Sequence, residues 1–143
     1  MNKLKSQSLE ELARQKGPYA PEVFDFVRQG LAFTVNRVQA APPPAHREPR
    51  HISGRELSLG LRDYAIKRYG LLARAVLAHW NVFGTKDFGR IVFTMVEHGL
   101  LQKTAQDSIH DFDNVFDFER AFEPPPRPVP PVNAVFDWKR DFR

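Results

Sequence analysis

The residues of this chain that are best suited to chemistry are a group of aspartates and five histidines. The aspartates are Asp107, Asp111, Asp113 and Asp117. Counted from Asp111, a calcium-binding loop needs Gly at its sixth position and Glu at its twelfth, but Phe116 and Phe122 lie there. The histidines are His46, His51, His79, His98 and His110. No two of them are four residues apart, and no HExxH zinc motif occurs. The sequence therefore predicts no metal and no cofactor.

Catalytic motifs are also absent from the sequence. The chain has no cysteine, no G-x-S-x-G turn and no glycine-rich phosphate loop. Three glycines lie in or near predicted helices, at Gly54, Gly60 and Gly89. Glycine in a helix costs about 1 kcal/mol relative to alanine, and close helix packing is the simplest explanation for it. We therefore expect a binding protein and not an enzyme.

The charges of the chain are divided between two segments. Residues 46–74 carry seven basic side chains against three acidic ones, whereas residues 102–119 carry one basic side chain against five acidic ones. Because phosphate contacts need cations, a nucleic acid would bind the basic segment and the polar face of the helix predicted after Gly84. The candidate residues are Arg47, Arg50, Arg55, Arg62, Lys86 and Arg90. A solvated helix face explains the same pattern, and that alternative stays open.

Aromatic and acidic side chains favour a protein partner instead. The aromatic candidates near the end of the sequence are Phe136, Trp138 and Phe142, which alternate with Lys139, Arg140 and Arg143. These aromatic side chains could dock on a groove of the same domain or on a partner, and stacking on RNA bases is the alternative. Phe93 is predicted on the polar side of its helix, which also favours a protein contact. Asp107 and Asp111 would repel phosphate and attract a basic partner.

The elements that position these residues begin with an N-terminal helical pair, predicted in residues 1–39. Ser8 followed by Glu11 is a capping-box pattern for the first helix. Pro21 suits the first turn of the second helix, because its missing N–H would have no helical partner there. Residues 40–50, AAPPPAHREPR, break the helical pattern and are predicted to form a Pro-rich connector.

Three helices followed by a β-hairpin are predicted in residues 51–123. Ser53 and Glu56 form a second capping-box pattern at the first of these helices, and Thr85 is the predicted cap of the third. After Gly99 apolar and polar residues alternate, which is typical of strands. The residues predicted to face inward are Phe112, Phe116 and Phe118, with the aspartates facing water. This order predicts a mainly α fold with a small β-hairpin: a winged-helix-like three-helix core plus N-terminal helices. A plain helical bundle with an extended tail is the alternative, because helix propensity does not distinguish the two.

Much of this region resembles a known family. The matching stretches are RHISGRELSLGLRDYAIKRYG, LARAVLAHWNVFGTKDFGRIVFTMVEHGLLQKTAQDS and DFDNVFDFERAF, from about Arg50 to Phe122, and more weakly YAPEVFDFV. They are similar to a small bacterial family found mainly in planctomycetes and verrucomicrobia and sometimes labelled Minf. The family has no assigned activity, cofactor or catalytic residues, so the resemblance implies no function. Residues 124–143, a Pro-rich tail with an aromatic-basic end, do not match it.

The sequence as a whole predicts a non-enzymatic binding or adaptor module. We expect it to contact a protein partner or a second copy of itself, with binding of RNA or DNA through the basic helix face as the alternative. No segment approaches the roughly 18 uninterrupted apolar residues of a membrane span, so no membrane partner is expected. The absence of cysteine favours a reducing compartment, and we expect a cytoplasmic protein.

Overall fold

The structure of this chain is a computed structural model that describes residues 19–40 and 51–123. The helices are α1 (Pro21–Ala40), α2 (Gly54–Tyr69), α3 (Ala73–His79), α4 (Thr85–Glu97) and α5 (Phe118–Ala121). Two 3-10 helices, Gly70–Leu72 and Ile109–Phe112, precede α3 and α5. The helix predicted after Ser8, the connector and the tail lie outside the described residues.

The three predicted core helices are confirmed as α2, α3 and α4. Ser53 caps α2 as expected, because its hydroxyl oxygen accepts a hydrogen bond from the backbone N–H of Glu56 at 3.1 Å. Gly70 ends α2 with a φ of 54°, a left-handed conformation that glycine adopts without strain. Local sequence signals therefore predict both ends of this helix.

The start of α4 differs from the prediction. Gly84 is the residue before the helix, and the Asp87 carboxylate accepts hydrogen bonds from the backbone N–H groups of Phe83 at 2.8 Å and Gly84 at 3.2 Å. Thr85 lies in the first turn, and its buried hydroxyl donates to the carbonyl oxygen of Phe112 at 2.6 Å. Thr85 therefore joins α4 to the segment that follows it, and the capping acceptor is Asp87.

One hydrophobic core is shared by α1, α2, α3 and α4. Its most deeply buried large side chains include Val23, Phe24, Val27, Leu61, Leu77, Phe88, Ile91 and Met95. Helices α1 and α2 approach each other closely, because a Cβ atom on Gly60 would overlap the side chain of Thr34. The Thr34 hydroxyl donates to the carbonyl oxygen of Gly30 at 2.7 Å, so this buried polar group is satisfied. The close packing predicted from Gly60 is confirmed, and α1 packs on the same core as residues 51–123.

The predicted β-hairpin is wrong, and with it the winged-helix interpretation. No strand occurs in residues 19–40 and 51–123. Three of the aspartates, Asp107, Asp111 and Asp117, accept hydrogen bonds from neighbouring backbone N–H groups instead of flanking a strand. The Asp107 carboxylate accepts from the N–H of Thr104 at 2.8 Å. The Asp111 carboxylate accepts from the N–H of Ser108 at 3.0 Å. Such short-range hydrogen bonds compete with a strand ladder, so the chain forms successive turns here.

The inward-facing aromatic residues were predicted correctly although their secondary structure was not. Phe112 and Phe118 are buried, and Phe116 is half-buried. Phe112 fits between α2 and α4, where a Cβ atom on Gly54 or on Gly89 would approach it closer than side chains normally pack. The alternation of phenylalanine and aspartate thus separates buried from exposed residues along a series of turns.

Candidate functional site

A groove of about 280 Å³ lies between α1, α2, α4 and the loop that follows α4. Its apolar floor includes Leu31, Leu57, Val92, Phe93, Val96 and Leu101. Its polar rim is formed by His51, Lys103, Asp107 and Asp111, and we call this part the charged rim. Pockets that enclose a whole small molecule have volumes of roughly 300 to 1,000 Å³. At about 280 Å³ the groove lies at the lower end of this range, and one or two side chains of a peptide also fit that volume.

Phe93 forms one wall of the groove. Its ring packs edge-on against Phe112, with 6.4 Å between the ring centroids and 89° between the planes. The ammonium group of Lys103 lies 5.5 Å from the centroid of the Phe93 ring. Phe93 is half-buried, so it is not the freely exposed contact residue that its position on the helix suggested. Phe93 lines the groove together with Val92 and Val96 from the same helix.

Asp107 and His51 connect two segments across the charged rim. The Asp107 Oδ1 atom lies 2.8 Å from His51 Nε2, and its Oδ2 atom accepts from the backbone N–H of Thr104. Burial by itself would raise the pKa of Asp107, but the hydrogen bonds from Thr104 and the His51 imidazole outweigh it and lower that pKa. The pair therefore holds the loop after α4 against the residues that lead into α2.

Asp111 is the carboxylate of the charged rim that is left for a ligand. One of its oxygens accepts from the N–H of Ser108, and its side chain is exposed. Neither Asp111 nor Lys103 forms an ion pair with any residue in ranges 19–40 and 51–123. The groove thus combines an apolar floor with charges that lack counter-ions in the described part of the chain.

The structure brings together three residues that the sequence predicted as partner contacts. Phe93, Asp107 and Asp111 all line the groove. The other three partner candidates, Phe136, Trp138 and Phe142, lie outside the described residues.

Two predicted nucleic-acid contacts are engaged with acidic neighbours. Arg62 Nε lies 2.9 Å from Asp63 Oδ1, and the Arg62 guanidinium lies 5.7 Å from the centroid of the Phe116 ring. Arg90 Nη1 lies 3.6 Å from Asp87 Oδ1. Each of these cations is therefore partly neutralised before any phosphate could approach.

The remaining nucleic-acid candidates are not gathered into one site. Arg55 and Lys86 are exposed and have no ion-pair partner in the part of the chain that the structure describes. They lie on different helices, and neither lines the groove. Arg47 and Arg50 lie outside the described residues.

Sequence reasoning missed His51 and Lys103 as parts of this site. His51 was considered only as a metal ligand, and Lys103 only as the single cation of an acidic segment. The partner of His51 is 56 residues away in the chain, so no motif spacing could relate them. The position of Lys103 over Phe93 likewise depends on how the loop folds back on α4.

Two further properties of the described residues bear on function. None of the helices there is long and apolar enough to cross a membrane. No group of three or more His, Asp or Glu side chains in those ranges is placed to hold a metal ion.

Comparison of the chain with protein-family models, with curated proteins and with solved structures finds no match. The resemblance to the Minf family therefore stays a prediction. Function has to be inferred from the groove.

Proposed function

We propose that this chain is a non-enzymatic protein-interaction module whose groove binds a short partner segment with a large apolar side chain next to a basic one. The observation that carries this proposal is the convergence of Phe93, Asp107 and Asp111 on one groove. Since the chain has no cysteine, a reducing compartment suits it, and we place the module in the cytoplasm.

The apolar floor supports the large apolar side chain of the proposed ligand. Val92, Phe93 and Val96 come from one face of α4, and Leu57 comes from α2, so rigid helices hold the floor. A side chain that enters the groove loses contact with water, which contributes roughly 25 cal/mol for each Å² of apolar surface buried. Aromatic residues bury the largest surface and dominate the binding energy of such contacts.

The charged rim supports the basic side chain of the proposed ligand. Asp107 and Asp111 contribute two negative charges against the single ammonium group of Lys103. Because the Asp107 carboxylate is already hydrogen-bonded to Thr104 and His51, Asp111 is the group to which a partner's Arg or Lys would bind. An acidic partner would instead meet the two carboxylates and bind more weakly.

Fluorescence anisotropy with short labelled peptides tests this function on the full chain. One peptide carries a tryptophan between arginines, and its counterpart carries the same tryptophan between glutamates. We expect the arginine peptide to bind more tightly. Phe93→Ala should weaken it about tenfold, the effect of losing an aromatic contact. Asp111→Asn should weaken it by about two- to fivefold, because an exposed ion pair contributes little.

Two matched variants serve as controls for these measurements. Phe83→Ala removes an aromatic ring that is 66% exposed and lies outside the groove. Asp113→Asn removes a nearby carboxylate that pairs with His110 and does not line the groove. Both should leave the affinity unchanged. Equal affinity for the two peptides, or an affinity that Phe93→Ala leaves unaltered, would contradict the proposal.

Nucleic-acid binding is the second candidate function, and it is favoured by the exposure of Arg55 and Lys86, neither of which forms an ion pair within residues 19–40 and 51–123. If it is correct, the double change Arg55→Glu and Lys86→Glu should lower the affinity for duplex DNA or structured RNA. The slope of affinity against salt concentration should fall as well. Unaltered affinity in that double variant would remove this candidate.

A further inference from the structure

We infer that the partner segment that fills the groove is the aromatic-basic end, residues 136–143, of a second copy of this chain. This inference rests on the proposed function, because it names the ligand of the same groove. It assigns the protein an assembly role in which one copy supplies the groove and the other supplies residues 136–143.

The chemistry of the aromatic-basic end matches both halves of the groove. Trp138 offers the large apolar side chain that the floor requires, and Lys139 and Arg140 follow it directly. With Trp138 in the floor, one of these cations can reach Asp111, whose carboxylate has no ion-pair partner among the described residues. The same end contains Asp137, an acidic group that can pair with Lys103. One short segment thus offers a counter-charge to Asp111 and to Lys103.

The place where the described chain ends favours a second copy over the same copy. Glu123 lies on a different surface groove, which Leu71, Arg74 and Phe122 also line, and none of these residues lines the groove that contains Phe93. The aromatic-basic end is separated from Glu123 by residues 124–135, six of which are prolines.

Assembly of this kind joins two different surfaces, the groove of one copy and the aromatic-basic end of another. Such a contact is heterologous, so a set of copies closes into a ring or extends as an open chain. The average mass in solution should therefore rise with protein concentration. It should fall when either surface is altered.

Light scattering coupled to size-exclusion chromatography on the full chain tests this inference. The groove variant is Phe93→Ala, the end variant is Trp138→Ala, and Phe83→Ala is the control. We expect the wild type and the control to associate at the same protein concentration. Each of the other two variants should need a protein concentration at least about tenfold higher to associate to the same degree. A mixture of the groove variant and the end variant should form a one-to-one dimer at a concentration where neither associates alone. That result requires one intact groove and one intact aromatic-basic end from different copies.

A labelled peptide of residues 132–143, titrated against the Trp138→Ala chain, separates failure of this inference from failure of the proposed function. Peptide binding that Phe93→Ala weakens, together with concentration-dependent mass, supports the inference. Peptide binding with a monomeric wild type overturns the second copy as the source. If the arginine-flanked tryptophan peptide binds but the 132–143 peptide does not, the inference is overturned and the proposed function stands. If neither peptide binds, both are overturned.

Discussion

Two regions of the molecule reach a buried aromatic core by different means. In α4 the buried residues Phe88, Ile91 and Met95 recur at helical spacing, and the backbone hydrogen bonds are internal to the helix. In residues 100–123 the buried residues Phe112 and Phe118 lie in short turns and helices. There, aspartate and serine side chains accept hydrogen bonds from four backbone N–H groups.

The difference shows that alternating phenylalanine and aspartate residues need not form a strand. A strand requires a partner strand, whereas an aspartate can accept a hydrogen bond from an N–H two or three residues away. The segment after α4 forms such short-range hydrogen bonds, and its aromatic rings pack on the helices. Its position therefore depends on a few contacts with α2 and α4, which single substitutions can remove.

The largest effect is expected from Phe112→Ala, which removes the ring that holds the segment to the helices. Phe112 is 3% exposed and packs against Gly54 and Gly89. Truncating a buried phenylalanine lowers the free energy of unfolding by about 3 to 5 kcal/mol. Urea denaturation followed by circular dichroism measures this change. Phe83→Ala, at a side chain that is largely exposed, should change the free energy of unfolding by less than about 0.5 kcal/mol. A similar loss in both variants would mean that the segment is not held by Phe112.

A smaller effect is expected from Thr85→Val, which keeps the shape of the side chain and removes its hydroxyl. That hydroxyl donates to the Phe112 carbonyl at 2.6 Å and accepts from the Val115 N–H at 3.2 Å. Leaving these groups without a partner should lower the free energy of unfolding by about 1 to 3 kcal/mol. Thr94→Val is the matched control, because the Thr94 hydroxyl donates to the carbonyl oxygen of Arg90 within the same helix. Equal losses at Thr85 and Thr94 would show that the link between segments contributes nothing.

A third prediction concerns the helical region, where Tyr19 ties the residues before α1 to α4. Its hydroxyl donates to Asp87 Oδ1 at 2.6 Å, and burial together with this hydrogen bond raises the pKa of Tyr19 to about 12. Tyr19→Phe should lower the free energy of unfolding by about 1 kcal/mol. A raised tyrosine pKa stabilises the folded state fully below the unfolded value near 10, and this contribution is lost as the pH rises to about 12. Urea midpoints of the wild type and Tyr19→Phe should therefore converge between pH 10 and 12. A constant difference across that range would contradict the assignment.

The smallest effect is expected at acidic pH, from the hydrogen bonds of Asp107. The folded-state pKa of this carboxyl is lowered, so its contribution to stability is present above the unfolded value of about 3.9 and is lost as the pH falls through the folded value. Asp107→Asn should be slightly less stable than the wild type near pH 6, and the two urea midpoints should meet in acid below pH 4. Asp113→Asn provides a comparison at a carboxyl outside the groove. If Asp107→Asn differs from the wild type equally at both pH values, ionisation of Asp107 has no part in stability.

Parts of the candidate site could be predicted from single residues. Asp107 and Asp111 stood out because they share an acidic segment, and Phe93 stood out because it lies off the main apolar face of its helix. The groove itself could not be predicted, since its floor requires α1, α2 and α4 to lie side by side. The role of Thr85 could not be predicted either. Its hydroxyl donates to the carbonyl oxygen of Phe112, which is 27 residues away along the chain.

The sequence by itself determined both ends of α2 and the buried face of α4. Ser53, Gly70 and the apolar residues of α4 act on neighbours within a few positions, so their effects can be read along the chain. Only the tertiary structure decided that the aspartates after α4 stabilise turns and that Asp107 meets His51 across the rim of a groove. The physical reason is separation along the chain: contacts between distant residues form when the helices pack, and no local pattern of residue types records them.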